Sequence, residues 1–428
     1  MHVDLLIKNI TQLATCAAEG PKRGEAMRDV GIIAGGAVAV RDGIIVAVGE
    51  TAQLAGVTAD KTINAAGKAV VPGFVDSHTH TIFGGDRAHE FEMRIQGATY
   101  MEIMAAGGGI VSTMRHTREA TEAALVTSAR KRLDEMLALG STTVEIKTGY
   151  GLDVATELKM LRVMAQLDAV HPCDIVPTFL GAHTVPPEFT SAAGTDTEGY
   201  VQLVINEMLP EVVNWYQSSR FAANKVPLFI DVFCEDHALN VDQSRRILQA
   251  GIDAGLQAKL HVDQFNAFGG VKMAVNLGAM SVDHLDVTSE ADIARLANSQ
   301  TMAVPLPAVN FNLNLERYAD ARRMIDAGTA VALATDLNPG SAPCPSMPLV
   351  MAIACRVQKL LPAEALNAAT INAACAVGLG ERLGSIQVGK QADLLILNAA
   401  DYRHIPYFFG GNPVETVIKK GEVTGHGF

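Results

Sequence analysis

With 428 residues, 49% of them hydrophobic and 19% charged, the chain can bury a large core and lacks the composition of a disordered protein. A net charge of −12 leaves no electrostatic footprint for nucleic acid or an anionic membrane surface, and no apolar run is long enough to span a bilayer. Six scattered cysteines without a CxxC pair read as reduced thiols, and Asp4 and Lys8 interrupt the first apolar segment where a secretory signal would be uniform, so a cytoplasmic location is expected.

Residues 1 to about 70 read as β-rich. Val3–Ile10 alternates weakly, Ala37–Val40 is a short apolar run, and Asp42-Gly43 is a hairpin signal before Ile44–Val48. From Val71 onward, short apolar runs alternate with longer helical stretches. Candidate strands are Gly73–Ser77, Ser141–Lys147, Asp174–Leu180, Leu228–Phe233, Gln257–Val262, Ala279–His284, Thr301–Pro305 and Ala330–Thr335. Helical stretches between them include Glu119–Leu139, Val154–Leu167, Val241–Ala254 and Val271–Leu277. Such alternation predicts an α/β fold, a TIM-like (β/α)8 barrel over 69–384. Ala392–Leu397 and Val414–Lys419 return to strand character. With residues 1–68, residues 385–428 are expected to form a small β-sandwich domain into which the barrel is inserted.

Barrel chemistry sits at the C-terminal ends of the strands, so the polar residue closing each strand is informative. Strand one closes with His78-Thr-His80, whose two imidazoles point to one side because strand side chains alternate faces. Later strands close with Lys147, His183, Cys234-Glu235, His261, Asp283-His284 and Thr335-Asp336. A lone histidine is more often a hydrogen-bonded core or surface residue than a ligand. The joint pattern is different: of twelve histidines, nine lie in the barrel segment and five of those fall at strand ends. His2, His171, His404 and His426 lack such placement, and His89, His116 and His237 read as loop or surface residues. A workable ligand set is His78, His80, His261 and Asp336, which suits Zn2+ or iron and leaves a position for water. His284 and Asp336 would lie close enough to that water to shuttle its proton as catalytic residues.

This pattern resembles the amidohydrolase superfamily. The resemblance extends to its imidazolonepropionase family of histidine breakdown through Phe83-Gly-Gly-Asp-Arg87, Glu90-Phe-Glu-Met-Arg94, Gly107-Gly-Gly-Ile110, Glu145-Ile-Lys-Thr-Gly-Tyr-Gly151, Gly181-Ala-His183, Asp231-Val-Phe-Cys-Glu235, His261-Val-Asp-Gln264 and Ala334-Thr-Asp-Leu-Asn-Pro-Gly340. Gly389–Leu395 resembles the superfamily's closing β unit. The resemblance implies one metal ion, zinc or iron, on His78, His80, His261 and Asp336. It implies hydrolysis of 4-imidazolone-5-propanoate to N-formimidoyl-L-glutamate, metal hydroxide attacking the ring carbonyl. It implies substrate contacts from Arg87, Tyr150 and His183, with Asn338, Gly340 and Ser341 at the substrate or the new carboxylate, and a homodimer. Arg87 is a sensible clamp for the propionate, because guanidinium offers two parallel donors. Position 264 is Gln where some members carry Glu, so Gln264 is expected to bind the ring and leave proton transfer to His284 and Asp336. Strand four carries no lysine that could bridge two metals, which predicts a single ion, with Glu235 the alternative bridge. A nucleobase deaminase would share the metal core, but a neutral base needs no carboxylate clamp. A catalytically silent metal-binding homologue would be expected to lose His284 and Asp336.

Overall fold

The computed structural model describes residues 1–99, 102–103, 106–192 and 194–426. The chain opens with β1 (His2–Ala14), β2 (Ile32–Arg41), β3 (Ile44–Glu50), β4 (Thr58–Asn64) and β5 (Ala69–Pro72). Asp42 and Gly43 close the β2–β3 hairpin with φ of 51° and 73°, the left-handed pair that matches strand twist in a two-residue turn. β1 pairs antiparallel with β2 and parallel with both β4 and β5. Thr58–Asn64 carries no apolar alternation and was not among the candidate strands. Residues 69–72, expected to lead into the barrel, instead pair within this terminal sheet, and the chain leaves it only at Gly73.

The barrel begins with β6 (Phe74–Asp76). It continues through β7 (Ser141–Lys147), β8 (Asp174–Ala182), β9 (Phe229–Cys234), β10 (Gln257–Val262), β11 (Ser281–His284) and β12 (Met302–Val304). All neighbours are parallel and follow chain order. Every residue of β7 is buried, as expected of a strand covered on both faces. The eighth strand is not a regular ladder. Residues 330–337 instead form isolated parallel bridges, Ala303↔Val331 to β12 and Thr79↔Leu337 beyond β6. Asp336 N donates to His78 O at 3.0 Å and His80 N to Leu337 O at 2.8 Å, which closes the barrel across the first and last metal-ligand candidates.

Helices cover the outside of the strands. The helix expected over 119–139 is Glu122–Ala138, and a further helix, Ile110–Glu119, precedes it. The break lies at Ala120, which is extended, and Thr121 Oγ1 caps the second helix by accepting from Ala124 N. Val154–Val170 is capped by Asp153, and Val241–Asp253 by a capping box between Asn240 and Gln243. Among the described residues, no helix is long and apolar enough to cross a membrane.

The chain ends with β13 (Leu394–Leu397), β14 (Val414–Lys419) and β15 (Glu422–His426). β13 pairs with β5, so both termini share one eight-stranded sheet. That sheet folds over itself: Val40 and Ile45 near one end share an apolar cluster with Ile396 and Ile418 near the other. Asp174, at the start of β8, ties the unit to the bottom of the barrel through Lys419 Nζ and Lys420 Nζ, each at 2.7 Å.

Candidate active site

The residues expected at strand ends meet at the C-terminal mouth of the barrel. His78, His80 and His261 place ligand atoms within 4.8 Å of one another, and so do His78, His284 and Asp336. Asp336 Oδ1 lies 3.4 Å from His78 Nε2 and 3.4 Å from His80 Nε2. Ligands about 2.1 Å from one tetrahedral metal ion stand about 3.4 Å apart, so the spacing fits a metal centre. His78 Nε2, His261 Nε2 and Asp336 Oδ1 are buried and lack a hydrogen-bond partner among the described residues. Buried polar atoms are rarely left so, and a shared cation would satisfy all three. Burial first, with Lys147 and the neighbouring histidines adding to it and Asp231 opposing it at His80, pushes the pKa values of His78 and His80 well below the ordinary histidine value, which favours the neutral form that ligates a metal. Burial likewise pushes the Asp336 carboxyl well above its usual range, a penalty that a bound cation would remove.

The backbone here is strained. His284, Leu285 and Asp336 have φ of 80°, 69° and 52°, the left-handed region that costs a side-chain-bearing residue of order 1–3 kcal/mol. Such turns re-aim side chains at the strand ends. The His284 ring lies 5.4 Å from that of His261 and 5.7 Å from that of His78, so it faces the ligand cluster without belonging to the expected four.

The expected substrate residues surround this cluster. The His183 ring stacks on His80 at 5.0 Å, and its Nδ1 is 3.1 Å from Gly149 O. Tyr150 is buried with its ring 5.6 Å from both His80 and His183. Its phenol pKa is raised by burial first, then by Asp336, while Arg87 and Arg132 lower it. Arg87 is held by Glu90, Nε at 2.8 Å and Nη2 at 2.6 Å from Oε2. Gly340 faces it so closely that a Cβ there would lie 2.1 Å from Arg87 Nη1. Asn338 Oδ1 accepts from Gly340 N at 2.8 Å and Ser341 N at 2.7 Å, and its Nδ2 donates to Asp336 O at 2.7 Å. One turn thus links Asp336 to the seat of Arg87. Gln264 is partly exposed on the loop after β10.

The Amidohydrolase family profile matches residues 229–424. The chain is 56% identical to the imidazolonepropionase of Chloroflexus aggregans, covering 98% of each chain, and 53% identical to that of Herpetosiphon aurantiacus, covering 99% of this chain and 97% of the relative. It belongs to the imidazolonepropionase family. Solved structures with the same fold include a zinc-bound adenosine deaminase from Xanthomonas campestris, with TM-score 0.72, 20% identity and coverage of 99% of this chain and 93% of that one. Another is an atrazine chlorohydrolase from Arthrobacter aurescens complexed with zinc, with TM-score 0.72, 16% identity and coverage of 98% and 94%.

In this imidazolonepropionase-family chain, sequence reasoning missed the buried carboxylates that hold the site together. Asp283 Oδ2 lies 2.6 Å from His78 Nδ1, and Asp231 Oδ2 3.0 Å from His261 Nδ1. Glu90 Oε1 accepts from Gly109 N at 3.0 Å and so pins the glycine turn beside Arg87. Glu157 accepts from Gly149, Gly151 and Leu152 N, fixing the Tyr150 loop. Glu235, the alternative second-metal bridge, accepts with Oε2 from Phe265 N at 2.9 Å and with Oε1 from Asn266 Nδ2 at 2.9 Å. Both its oxygens therefore serve the Gln264 loop. The available signal was a lone acidic residue inside an apolar run, as in Phe229-Ile-Asp-Val-Phe233.

Proposed function

We propose that the chain hydrolyses 4-imidazolone-5-propanoate to N-formimidoyl-L-glutamate in histidine breakdown. Family membership supports the reaction class. The observation that carries the substrate is the partly buried Arg87 guanidinium, seated against Gly340 four residues beyond Asp336, which is where a carboxylate tail on a ring at the histidine cluster would need a partner.

His78, His80, His261 and Asp336 would hold one metal ion, zinc or iron. When bound, it supplies Lewis acidity, polarising a carbonyl oxygen and lowering the pKa of water. Arg87 binds the propionate and orients the ring, Tyr150 and His183 wall it in, and Gln264 meets the ring from the β10 loop. Water adds its oxygen to the ring carbonyl carbon, and the C–N bond to that carbon breaks. The Asp336 carboxylate and the His284 imidazole take the proton lost by the water and return it to the departing nitrogen. Asn338, Gly340 and Ser341, whose turn is closed by the Gly340 and Ser341 N–H groups donating to Asn338 Oδ1, then face the newly formed carboxylate.

The assay is hydrolysis of imidazolone propanoate set against cytosine and guanine. Activity confined to the bases would overturn the reading and favour a deaminase. Metal analysis is expected to give one ion per chain, since Glu235 is occupied by its loop, and two ions would refute that count. A division into a terminal β unit (1–68 and 385–428, with β5 joined to it) and a barrel, a homodimeric state and a cytoplasmic location complete the proposal. Sedimentation and localisation of the tagged chain test the last two.

A further inference from the structure

The charged side chains beneath the histidines form one connected set inside the barrel. Lys147, at the end of β7, is fully buried. Its Nζ lies 2.7 Å from Glu145 Oε1, 2.8 Å from Asp231 Oδ2 and 3.8 Å from Asp283 Oδ2. Those two aspartate oxygens are the atoms that reach His261 Nδ1 at 3.0 Å and His78 Nδ1 at 2.6 Å. One ammonium therefore stands between two carboxylates, and each carboxylate stands behind an imidazole. The forward nitrogens of those imidazoles, Nε2, are buried and unpartnered among the described residues; behind them His78 Nδ1 is hydrogen-bonded to Asp283, whereas His261 Nδ1 and Asp231 Oδ2 meet at ion-pair distance without hydrogen-bond alignment. A carboxylate at Nδ1 keeps the proton on that nitrogen, turns the ring and leaves the Nε2 lone pair facing forward.

We propose that Lys147 is the shared positioning residue of the metal centre. It fixes Asp231 and Asp283, and through them the rings of His261 and His78. The inference rests on the ligand set proposed above. Glu145 does not need Lys147 in the same way, because Thr178 Oγ1 donates to it and Lys259 Nζ lies 3.6 Å away. Asp231 has two backbone donors, Val232 N at 2.7 Å and His261 N at 3.2 Å, but both reach Oδ1 and leave Oδ2 to Lys147 and His261. Asp283 Oδ1 accepts from Ser281 Oγ at 2.7 Å, again leaving Oδ2 to face the ammonium and His78.

Charge and position make opposite predictions. On charge alone, a buried cation near a bound cation repels it, so removing Lys147 should tighten metal binding. As a positioning residue, its removal leaves Asp231 and Asp283 as facing like charges that swing apart and release both rings. The test is Lys147→Met in the full chain, stripped of metal and titrated with Zn2+ against a chromophoric chelator, with Co2+ visible absorption as a probe of ligand geometry. Expected are a roughly 10- to 100-fold loss of Zn2+ affinity, the range for lost outer-sphere partners, and an altered Co2+ spectrum with unchanged far-UV circular dichroism. Adding Asp283→Asn to Lys147→Met should cost less than the product of the separate losses, because both act through one chain of contacts. Equal or tighter Zn2+ binding by Lys147→Met with a native Co2+ spectrum overturns the proposal. Should that variant not fold, Asp283→Asn and Asp231→Asn carry the test, and native affinity in either overturns it. Retention of Zn2+ by His78→Ala and His261→Ala would instead refute the ligand set, a separate failure.

Discussion

Replacing Gly340 by Ala tests the substrate reading most directly. Gly340 lacks a left-handed φ, so alanine fits its backbone without strain. The added Cβ would lie 2.1 Å from Arg87 Nη1, 2.6 Å from Cζ and 3.2 Å from Nη2. Ordinary contact begins near 3.4 Å, so the guanidinium has to retreat by about 1.3 Å. It cannot do so freely, because Glu90 holds Nε and Nη2 while its other oxygen is tied to Gly109 N. A misaligned charge-assisted contact to the propionate forfeits about 1.5–3 kcal/mol, which is roughly 10- to 150-fold in kcat/KM. The loss should fall mainly on KM, because the tail is bound alike in ground and transition states. Steady-state kinetics on imidazolone propanoate, with metal content measured in parallel, reads the effect. A KM within two-fold of the parent at unchanged metal content would refute the assignment of Arg87 as the carboxylate clamp.

Three further outcomes follow from the same geometry. Asp336→Ala should lower kcat by at least 10²-fold while far-UV circular dichroism stays native, since the side chain is both ligand and proton carrier; an active variant would refute the mechanism. Glu157→Gln replaces an acceptor of three backbone N–H groups by an amide that cannot serve them all. It should cost about 1–3 kcal/mol in urea unfolding and raise KM through the loosened Tyr150 loop. Asp174→Asn should destabilise the parent most at neutral pH. Burial raises the Asp174 carboxyl pKa, but Lys419 and Lys420 more than reverse this, so the folded value lies below the unfolded one of about 4. The stabilisation is then present above pH 4 and lost as pH falls through the folded value, so the difference in urea midpoint between Asp174→Asn and the parent should shrink steadily below pH 4; a constant gap would refute the pairing.

The fold was readable where burial dictates pattern. Ser141–Lys147 and Gln257–Val262 match the expected strands at both ends, because Val144 and Ile146, and Ala258, Leu260 and Val262, alternate with polar residues at the two-residue strand period. Thr58–Asn64 was invisible because most of its side chains are exposed, and its strand character comes from pairing with β1. The eighth barrel strand was recognised by position although it carries only isolated bridges. Its polar end could be placed even so, because Asp336 follows an apolar run whatever the ladder does. The ligand set was legible for the same reason: His78 and His80 obey the two-residue strand period. The supporting carboxylates were not, since a partner defined by contacts across the barrel has no spacing to betray it. Asp283 and His78 are 205 positions apart.

That division has a physical basis. Strand ends deliver side chains to the barrel mouth, but the loops that carry Arg87, Tyr150 and Gln264 have no ladder to hold them. In each case a buried glutamate takes the ladder's place. Glu90 binds Gly109 N beside Arg87, Glu157 gathers the amides of Gly149, Gly151 and Leu152 around Tyr150, and Glu235 takes those of Phe265 and Asn266 next to Gln264. A carboxylate accepts several N–H groups at once and, lacking a donor of its own, cannot bond any other way. Burying each one is expensive unless its loop closes around it, so the penalty itself discriminates against an open loop. The metal-ligand candidates are aimed from behind by Asp231 and Asp283, and the substrate loops from below by these glutamates. In this barrel, positioning falls to acidic residues behind the site, two of which, Asp231 and Asp283, share the Lys147 ammonium.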